Sequence, residues 1–216
     1  MAEITLVRHG QANSHASDEK GYDQLSELGK TQARWLGQHF SGRANGFDRV
    51  ITGTLTRQVE TAKYMGFENF RCDHRLDELP YFDLVKAVQR EHNLPEPKEA
   101  SEFVRFLPEM IELWAQDKVQ DAPRSFEEFA GAVKEMIDEQ CESTDRVLLV
   151  TSGGVISMAV RHALGLDIAG MSKIMLHISN SSVHTLRYVH ETLMLGGFNA
   201  TPHLDAPERS DSITYI

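Results

Sequence analysis

The sequence is short of basic side chains, cysteine and long apolar runs, and each shortage argues against a class of protein. Its 22 Lys and Arg residues are outnumbered by 32 Asp and Glu, for a formal net charge of −10. Nucleic acids and anionic membranes are bound by clustered cations, so neither is an expected partner. No run approaches the roughly 18 apolar residues that span a bilayer, and the first residues show no secretory leader pattern. The sequence therefore predicts a soluble, cytoplasmic protein.

Only two cysteines are present, Cys72 and Cys141, and their separation does not form a metal-ligand spacing. Two widely separated cysteines are more typical of small buried side chains in a protein of a reducing compartment than of a disulfide scaffold. Asp and His do not form a ligand spacing either, so we expect no metal and no other cofactor. At 216 residues, with 41% hydrophobic and 25% charged residues, the chain predicts one globular core with an insertion.

The first predicted strand delivers reactive side chains to its carboxyl end. Residues 4–7 are β-branched or apolar, which is typical of a buried parallel strand, and Arg8, His9 and Gly10 follow directly. Ligands of open α/β sheets bind beyond the carboxyl ends of the strands. A guanidinium beside an imidazole there can hold and attack a phosphate, although the pair alone is equally consistent with ordinary loop polarity.

Two later strand ends also suit an anion. A strand predicted at 47–52 leads into a helix at 55–65, whose first turn carries Arg57 beside backbone N–H groups. An apolar strand at 145–151 runs into Ser152, Gly153 and Gly154, where the backbone can approach an oxyanion at a helix N-terminus. A tight turn alone would also explain these glycines.

The rest of the pattern completes an α/β fold. Asp77 and Glu78 are paired carboxylates in a turn, where solvated caps are the more common interpretation. The other predicted elements are a helix from Ser26 to Gly42, a weak strand at 67–73, helices at 84–92, 101–116 and 125–140, and strands at 174–178, 181–188 and 191–198, the last two antiparallel. We predict one domain over residues 1–216: a doubly wound, mostly parallel sheet of about six strands, with helices on both faces and a helical cap inserted at about 80–140.

Over nearly the whole chain, these motifs resemble the histidine phosphatase superfamily, also called phosphoglycerate-mutase-like. The matching segments are residues 6–12, 52–62, 76–78 and 199–204. The resemblance implies that His9 becomes phosphorylated, that Arg8 and Arg57 clamp the phosphate, and that Glu78 gives a proton to the leaving alcohol or collects one from water. We expect a small phosphorylated metabolite as the substrate and no metal, because two guanidiniums and a helix N-terminus already neutralise the phosphate.

The sequence departs from the family at two positions. Ser152 stands where the family has a second histidine in contact with the transferring phosphoryl group. Losing one such donor typically costs about 10² to 10³ in rate, although the Ser152 hydroxyl and the N–H groups of Gly153 and Gly154 can still donate to a phosphate. His15 stands six residues after His9, where the mutases have Asn, so hydrolysis is favoured over mutase activity.

Two functions therefore stay open. One is a phosphomonoesterase attenuated by the loss of the second histidine, and the other is a catalytically inactive protein that binds a phosphate or a phosphoprotein. If the missing cation limits an enzyme, Ser152→His should raise the rate, and His15→Ala and His203→Ala should have little effect. If His15 or His203 reaches into the site instead, Ser152→His should lower the rate. The sequence gives neither the natural substrate nor the oligomeric state.

Overall fold

The computed structural model describes residues 1–13, 16, 18–42, 46–95 and 97–215. Its strands are β1 (Ala2–Arg8), β2 (Arg49–Thr52), β3 (Arg71–Cys72), β4 (Arg146–Thr151), β5 (Val183–Val189) and β6 (Thr192–Ala200). They form one sheet in the order β3-β2-β4-β1-β5-β6. The pairs β3-β2, β2-β4 and β4-β1 are parallel, whereas β1-β5 and β5-β6 are antiparallel. The prediction of a mostly parallel sheet of about six strands is confirmed.

Helices connect most of the strands. In the described part of the chain they are α1 (Glu19–Tyr22), α2 (Glu27–Ser41), α3 (Thr56–Tyr64), α4 (Tyr81–His92), α5 (Ala100–Ala115), α6 (Phe126–Cys141), α7 (Gly153–Leu164) and α8 (Ile168–Met175), with short 3-10 helices at His74–Leu76, Pro202–Leu204 and Pro207–Ser212. None of these helices has both the length and the apolar character needed to cross a membrane.

The strand predicted at 174–178 is wrong, because α8 and the loop after it occupy these residues. Asp167 caps α8: its side chain accepts a hydrogen bond from the N–H of Gly170 at 2.7 Å. A short apolar run does not distinguish a strand from a buried helix by periodicity alone. The cap, which satisfies a helix N–H that has no partner within the helix, is the local signal for the helix.

Two predicted helix starts are confirmed by their caps. The Ser26 hydroxyl accepts a hydrogen bond from the N–H of Gly29 at 3.0 Å and begins α2. The Ser125 hydroxyl accepts from the N–H of Glu128 at 3.1 Å, and the Glu128 carboxylate accepts from the N–H of Ser125 at 3.0 Å. This reciprocal pair is a capping box, and it fixes the start of α6.

Alternate residues of β1 pack into two different hydrophobic cores. Ile4 and Leu6 join a cluster that includes side chains of α4 to α8. Val7 packs instead with a cluster that includes Leu36 of α2 and Ala62 of α3. Successive side chains of a strand point to opposite faces of a sheet. The helices therefore cover both faces, as the doubly wound prediction requires.

The helices between β3 and β4 lie in two different places. Helix α6 contacts β1 and α7, so it belongs to the layer that covers the sheet. Tyr81 and Phe82 of α4, and Phe103 and Leu107 of α5, instead line a cavity. Within the segment predicted as a cap, α4 and α5 therefore carry the residues that enclose this cavity.

Candidate active site

The parallel strands bring the motifs of the sequence to one edge of the sheet. Arg8 at the end of β1 is paired with Thr151 at the end of β4, and Thr52 at the end of β2 is paired with Val150. The N–H of His9 donates to the Thr151 carbonyl at 2.8 Å. The segments that follow β1, β2 and β4 thus start together, which places the chemistry at their carboxyl ends.

The backbone fixes the tautomer of His9. Its Nδ1 lies 2.8 Å from the Gly10 carbonyl oxygen, which can only accept, so Nδ1 carries the hydrogen and Nε2 keeps its lone pair. The imidazole is 1% exposed. Burial, followed by the charges of Arg57 and Arg8, holds the pKa of His9 well below its usual value. The result is a neutral imidazole whose Nε2 can act as a nucleophile.

Close backbone packing requires glycine at position 10. A Cβ there would lie 2.4 Å from the Gly29 carbonyl oxygen of α2, a distance that backbone atoms do not tolerate. The N–H of Gly10 donates to the Thr61 hydroxyl of α3 at 3.1 Å. These contacts seat the turn after His9 between α2 and α3.

Two backbone carbonyls orient Arg8. Its Nη1 donates to the carbonyls of Ile178 and Tyr215, which lie far along the chain. Its Nε is buried and has no hydrogen-bond partner among the described residues. The guanidinium lines the cavity next to Gly153. Arg8 is therefore held by one nitrogen, and its Nε can donate to a bound anion.

Asp23 anchors Arg57. Its carboxylate accepts from Nη1 of Arg57 at 3.1 Å and from the backbone N–H groups of Thr56 and Arg57 at 2.9 and 3.1 Å. The guanidinium carbon lies 4.9 Å from the centre of the Tyr22 ring, a cation–π contact. Arg57 is 1% exposed, so these contacts compensate its buried charge. Sequence reasoning missed Asp23 and Tyr22, which no motif marks.

Glu78 reaches the same cavity from the turn after the 3-10 helix His74–Leu76. Both of its carboxylate oxygens lie 3.1 Å from the N–H of Gly154, and Oε1 accepts from the N–H of Leu79 at 2.9 Å. Burial raises the pKa of Glu78 and outweighs these hydrogen bonds and the charge of Arg57, which lower it. A carboxyl group with a raised pKa can hold a proton for a leaving alcohol.

The neighbouring carboxylate, Asp77, binds Thr54. It accepts from the N–H of Thr54 at 2.5 Å and from the Thr54 hydroxyl at 2.6 Å. These bonds hold the turn between β2 and α3. Of the paired carboxylates, Asp77 thus holds a turn and Glu78 faces the cavity.

Ser152 stands at the N-cap of α7 but does not line the cavity, whereas Gly153 and Gly154 do. Its side chain is 0% exposed, and its hydroxyl accepts a hydrogen bond from Nε2 of Gln58 at 2.8 Å. The same Nε2 donates to the Leu76 carbonyl at 2.9 Å. A contact from the Ser152 hydroxyl to a phosphate stays a prediction, and Gln58 is a neighbour of the site that sequence reasoning missed.

Two other histidines are buried behind the site. Nε2 of His203 lies 2.8 Å from the Ser181 hydroxyl, and the N–H of Ser181 donates to the His9 carbonyl at 3.1 Å. Burial lowers the pKa of His203 to about 4 and that of His184 to about 3. His203 therefore supports the backbone of His9 and does not line the cavity. His15 lies outside the described residues.

One cavity of about 320 Å³ is lined by Arg8, Arg57, Glu78 and the N-terminus of α7. His9 is not among the lining residues: it is 1% exposed and lies close enough to the two guanidiniums for their charges to lower its pKa. A larger, open hollow along β2 and the segment before β3 contains none of these groups. In the described part of the chain, His, Cys, Asp and Glu side chains form no group that could hold a metal ion. The charged groups of the smaller cavity are suited to bind and transfer a phosphoryl group.

Comparisons with known proteins agree with this fold. The model of the histidine phosphatase superfamily (branch 1) matches residues 4–201. No curated protein matches the sequence. A mutant phosphoserine phosphatase from Entamoeba histolytica, solved with phosphoserine, has a TM-score of 0.70 and 18% identity, covering 94% of this chain and 100% of that one. A mycobacterial glucosyl-3-phosphoglycerate phosphatase, solved with VO3, has a TM-score of 0.65 and 23% identity, covering 93% and 100%. At these identities the solved structures establish the fold, and the family match shows that the chain belongs to the histidine phosphatase superfamily.

Proposed function

We propose that this protein is a phosphomonoesterase that hydrolyses a small phosphorylated substrate through a phosphohistidine at His9. The observation that carries the proposal is the hydrogen bond between Nδ1 of His9 and the Gly10 carbonyl. It leaves Nε2 unprotonated beside two guanidiniums, which line the same cavity as Glu78, a carboxyl group of raised pKa. The structural relatives named above are phosphatases, which supports the same reaction class.

In the first step, Nε2 of His9 attacks phosphorus while the bond from phosphorus to the alcohol oxygen breaks. Arg8, Arg57 and the N-terminal turn of α7 at Ser152 and Gly153 neutralise the phosphoryl oxygens. Glu78 gives its proton to the departing oxygen and becomes a carboxylate. The products of this step are a free alcohol and the phosphoenzyme.

In the second step, water attacks phosphorus and the N–P bond breaks. The Glu78 carboxylate takes a proton from that water, which restores its protonated form and releases inorganic phosphate. Two guanidiniums already balance the charge of the phosphoryl group, so the proposed reaction needs no metal.

A trapping experiment tests the proposal. The enzyme is mixed with 4-nitrophenyl phosphate carrying labelled phosphorus and quenched in alkali, because phosphohistidine is labile in acid. We expect label on the wild-type chain at His9, no label and no turnover for His9→Ala, and wild-type behaviour for His74→Ala, an exposed histidine outside the site. A chelator should leave the rate unchanged. Turnover by a folded His9→Ala protein would refute the mechanism.

One observation favours the second candidate, a protein that binds a phosphate without turning it over. Gln58 occupies the Ser152 hydroxyl, and Glu78 occupies the N–H of Gly154. The N–H of Gly154 is thus engaged within the protein, and the Ser152 hydroxyl is held by the hydrogen bond that it accepts. This alternative predicts that vanadate binds and that binding falls for Arg57→Ala, while no aryl phosphate is hydrolysed at any pH.

A further inference from the structure

Beyond the phosphate-binding groups, the cavity is walled by uncharged side chains. The charged residues among its described lining are Arg8, Arg57 and Glu78. The proposed mechanism uses the two arginines for the phosphoryl group and Glu78 for the leaving oxygen. The other lining residues are Ala, Gly, Pro, Leu, Met, Phe and Tyr. The described lining therefore has no further cation to pair with a second acidic group on a substrate.

A continuous row of aromatic rings leads away from Arg57. Its guanidinium lies over Tyr22. The Tyr22 and Phe82 rings meet edge to face with centroids 6.0 Å apart, and Phe82 meets Tyr81 in the same way at 5.5 Å. The Tyr81 and Phe103 centroids are 6.2 Å apart. Rings at such distances and angles attract one another, and the row offers faces and edges to a further ring.

Aliphatic side chains complete the lining. Leu79, Leu107, Met175 and Leu176 come from the turn after Glu78, from α5 and from the C-terminal end of α8. Two of them are almost fully buried, with Leu79 and Leu107 each 4% exposed. A charged group placed here would lose its water without gaining a partner, which is costly. An apolar group would gain from burial.

We propose that the leaving group of the substrate is an uncharged aryl alcohol, so that the protein acts on aryl phosphomonoesters and discriminates against esters that carry a carboxylate. This substrate class rests on the proposed function, since it assigns the part of the molecule that Glu78 protonates. The net charge of −10 adds long-range repulsion against a second anionic group. At about 320 Å³ the cavity is at the small end of ligand sites, which suits a single ring beside the phosphate.

Three matched esters test the proposal: phenyl phosphate, 4-carbamoylphenyl phosphate and 4-carboxyphenyl phosphate. The carbamoyl compound controls for the size and electron withdrawal of the para substituent without adding charge. We expect similar kcat/KM values for the first two and a value about 10²-fold lower for the carboxylate. Equal or faster turnover of 4-carboxyphenyl phosphate would overturn the proposal.

The reverse test adds a positive charge to the apolar wall of the cavity. Phe103 is partly exposed and belongs to the aromatic row rather than to the phosphate-binding groups. Phe103→Arg should raise kcat/KM for 4-carboxyphenyl phosphate at least tenfold relative to phenyl phosphate, because the new cation pairs with the carboxylate. Phe103→Leu, the matched apolar control, should keep the wild-type preference. A preference that does not respond to Phe103→Arg contradicts the assignment of this wall.

Binding of non-hydrolysable phosphonates separates this proposal from the proposed function. Calorimetry should show tighter binding of phenylphosphonate than of 4-phosphonobenzoate. If this preference holds but no ester is hydrolysed, the ligand class stands and the phosphatase proposal fails. If esters are hydrolysed but neither turnover nor binding discriminates against the carboxylate, the phosphatase proposal stands and the substrate class is overturned.

Discussion

Gln58 donates a hydrogen bond to the Ser152 hydroxyl over 2.8 Å, and both side chains are fully buried. The amide of Gln58 is tightly packed, because its Oε1 lies only 1.9 Å from where a Cβ on Gly53 would stand. The position at which the family resemblance places a second histidine therefore holds a closed amide–hydroxyl pair. An imidazole that extends from position 152 along the direction of the Ser152 hydroxyl would meet the Gln58 amide.

The first prediction follows from this pair. It reverses the direction of the rate change for Ser152→His that the missing family histidine suggests. We expect Ser152→His to lower the single-turnover rate about tenfold, because the ring must displace Gln58 and overpacking a buried site costs about 1–3 kcal/mol. The double variant Gln58→Ala/Ser152→His should be faster than Ser152→His, since the shortened side chain makes room for the imidazole. The control is Gln58→Ala alone. A faster, equally stable Ser152→His protein would refute this interpretation.

Sequence reasoning selected the residues that local motifs mark. Arg8 and His9 follow a β-branched strand, Arg57 lies in the first turn of α3, and Gly153 and Gly154 open α7. Parallel pairing then brings these strand ends together, as the fold class requires. The same reasoning distinguished Glu78 from Asp77 only through the family resemblance, since the two carboxylates are adjacent and chemically alike.

The parts that sequence reasoning missed depend on distant partners. Asp23 meets Arg57 across 34 positions, Gln58 meets Ser152 across 94, and the Tyr215 carbonyl meets Arg8 across 207. Such contacts are set by how helices pack on the sheet, and they leave no periodic signal in the sequence. The aromatic row has the same origin, because α1, α4 and α5 supply its rings from separate helices.

The second prediction concerns the C-terminal segment, which holds Arg8 in place. Thr214 and Asn180 form two hydrogen bonds: the N–H of Asn180 donates to the Thr214 carbonyl at 2.7 Å, and the Thr214 hydroxyl donates to Oδ1 of Asn180 at 2.8 Å. The carbonyl of the next residue, Tyr215, accepts from Arg8. A chain ending at Ser212 should bind vanadate about tenfold more weakly, the cost of losing one hydrogen bond to a charged group. Tyr215→Ala keeps the backbone carbonyl, so its vanadate affinity should stay close to the wild-type value. Equal loss in the two proteins would assign the effect to the ring.

The third prediction is that stability falls in mild acid. His184 and His203 have pKa values lowered by burial to about 3 and about 4, so the unfolded chain binds protons that the native state does not. The contribution of the two neutral histidines to the free energy of unfolding is complete above the ordinary histidine pKa of about 6.5. It is lost as the pH falls from there towards their pKa values in the folded protein. At about pH 5 each should cost about 2 kcal/mol of unfolding free energy.

Urea unfolding at about pH 7.5 and about pH 5 measures this loss. His203→Gln should lose about 2 kcal/mol less than the wild type between the two conditions, because one of the buried groups no longer titrates. His74→Gln, which removes an exposed histidine, should match the wild type. If all three proteins lose the same stability, His203 is not the source of the pH dependence.

The fourth prediction tests Glu78 as the proton donor to the leaving group. Glu78→Gln is isosteric and can still accept from the N–H of Gly154. With enzyme in excess, formation of the phosphoenzyme from an alkyl phosphate should slow by about 10² to 10⁴. The same step with 4-nitrophenyl phosphate should change far less, because nitrophenolate departs without a proton.

Burial raises the pKa of Glu78, so its acid form persists to higher pH than usual. The wild-type rate on the alkyl ester should therefore fall as the pH rises through that pKa, and Glu78→Gln should abolish the decline. Equal losses on both esters would show that Glu78 serves the phosphoryl group and not the leaving oxygen.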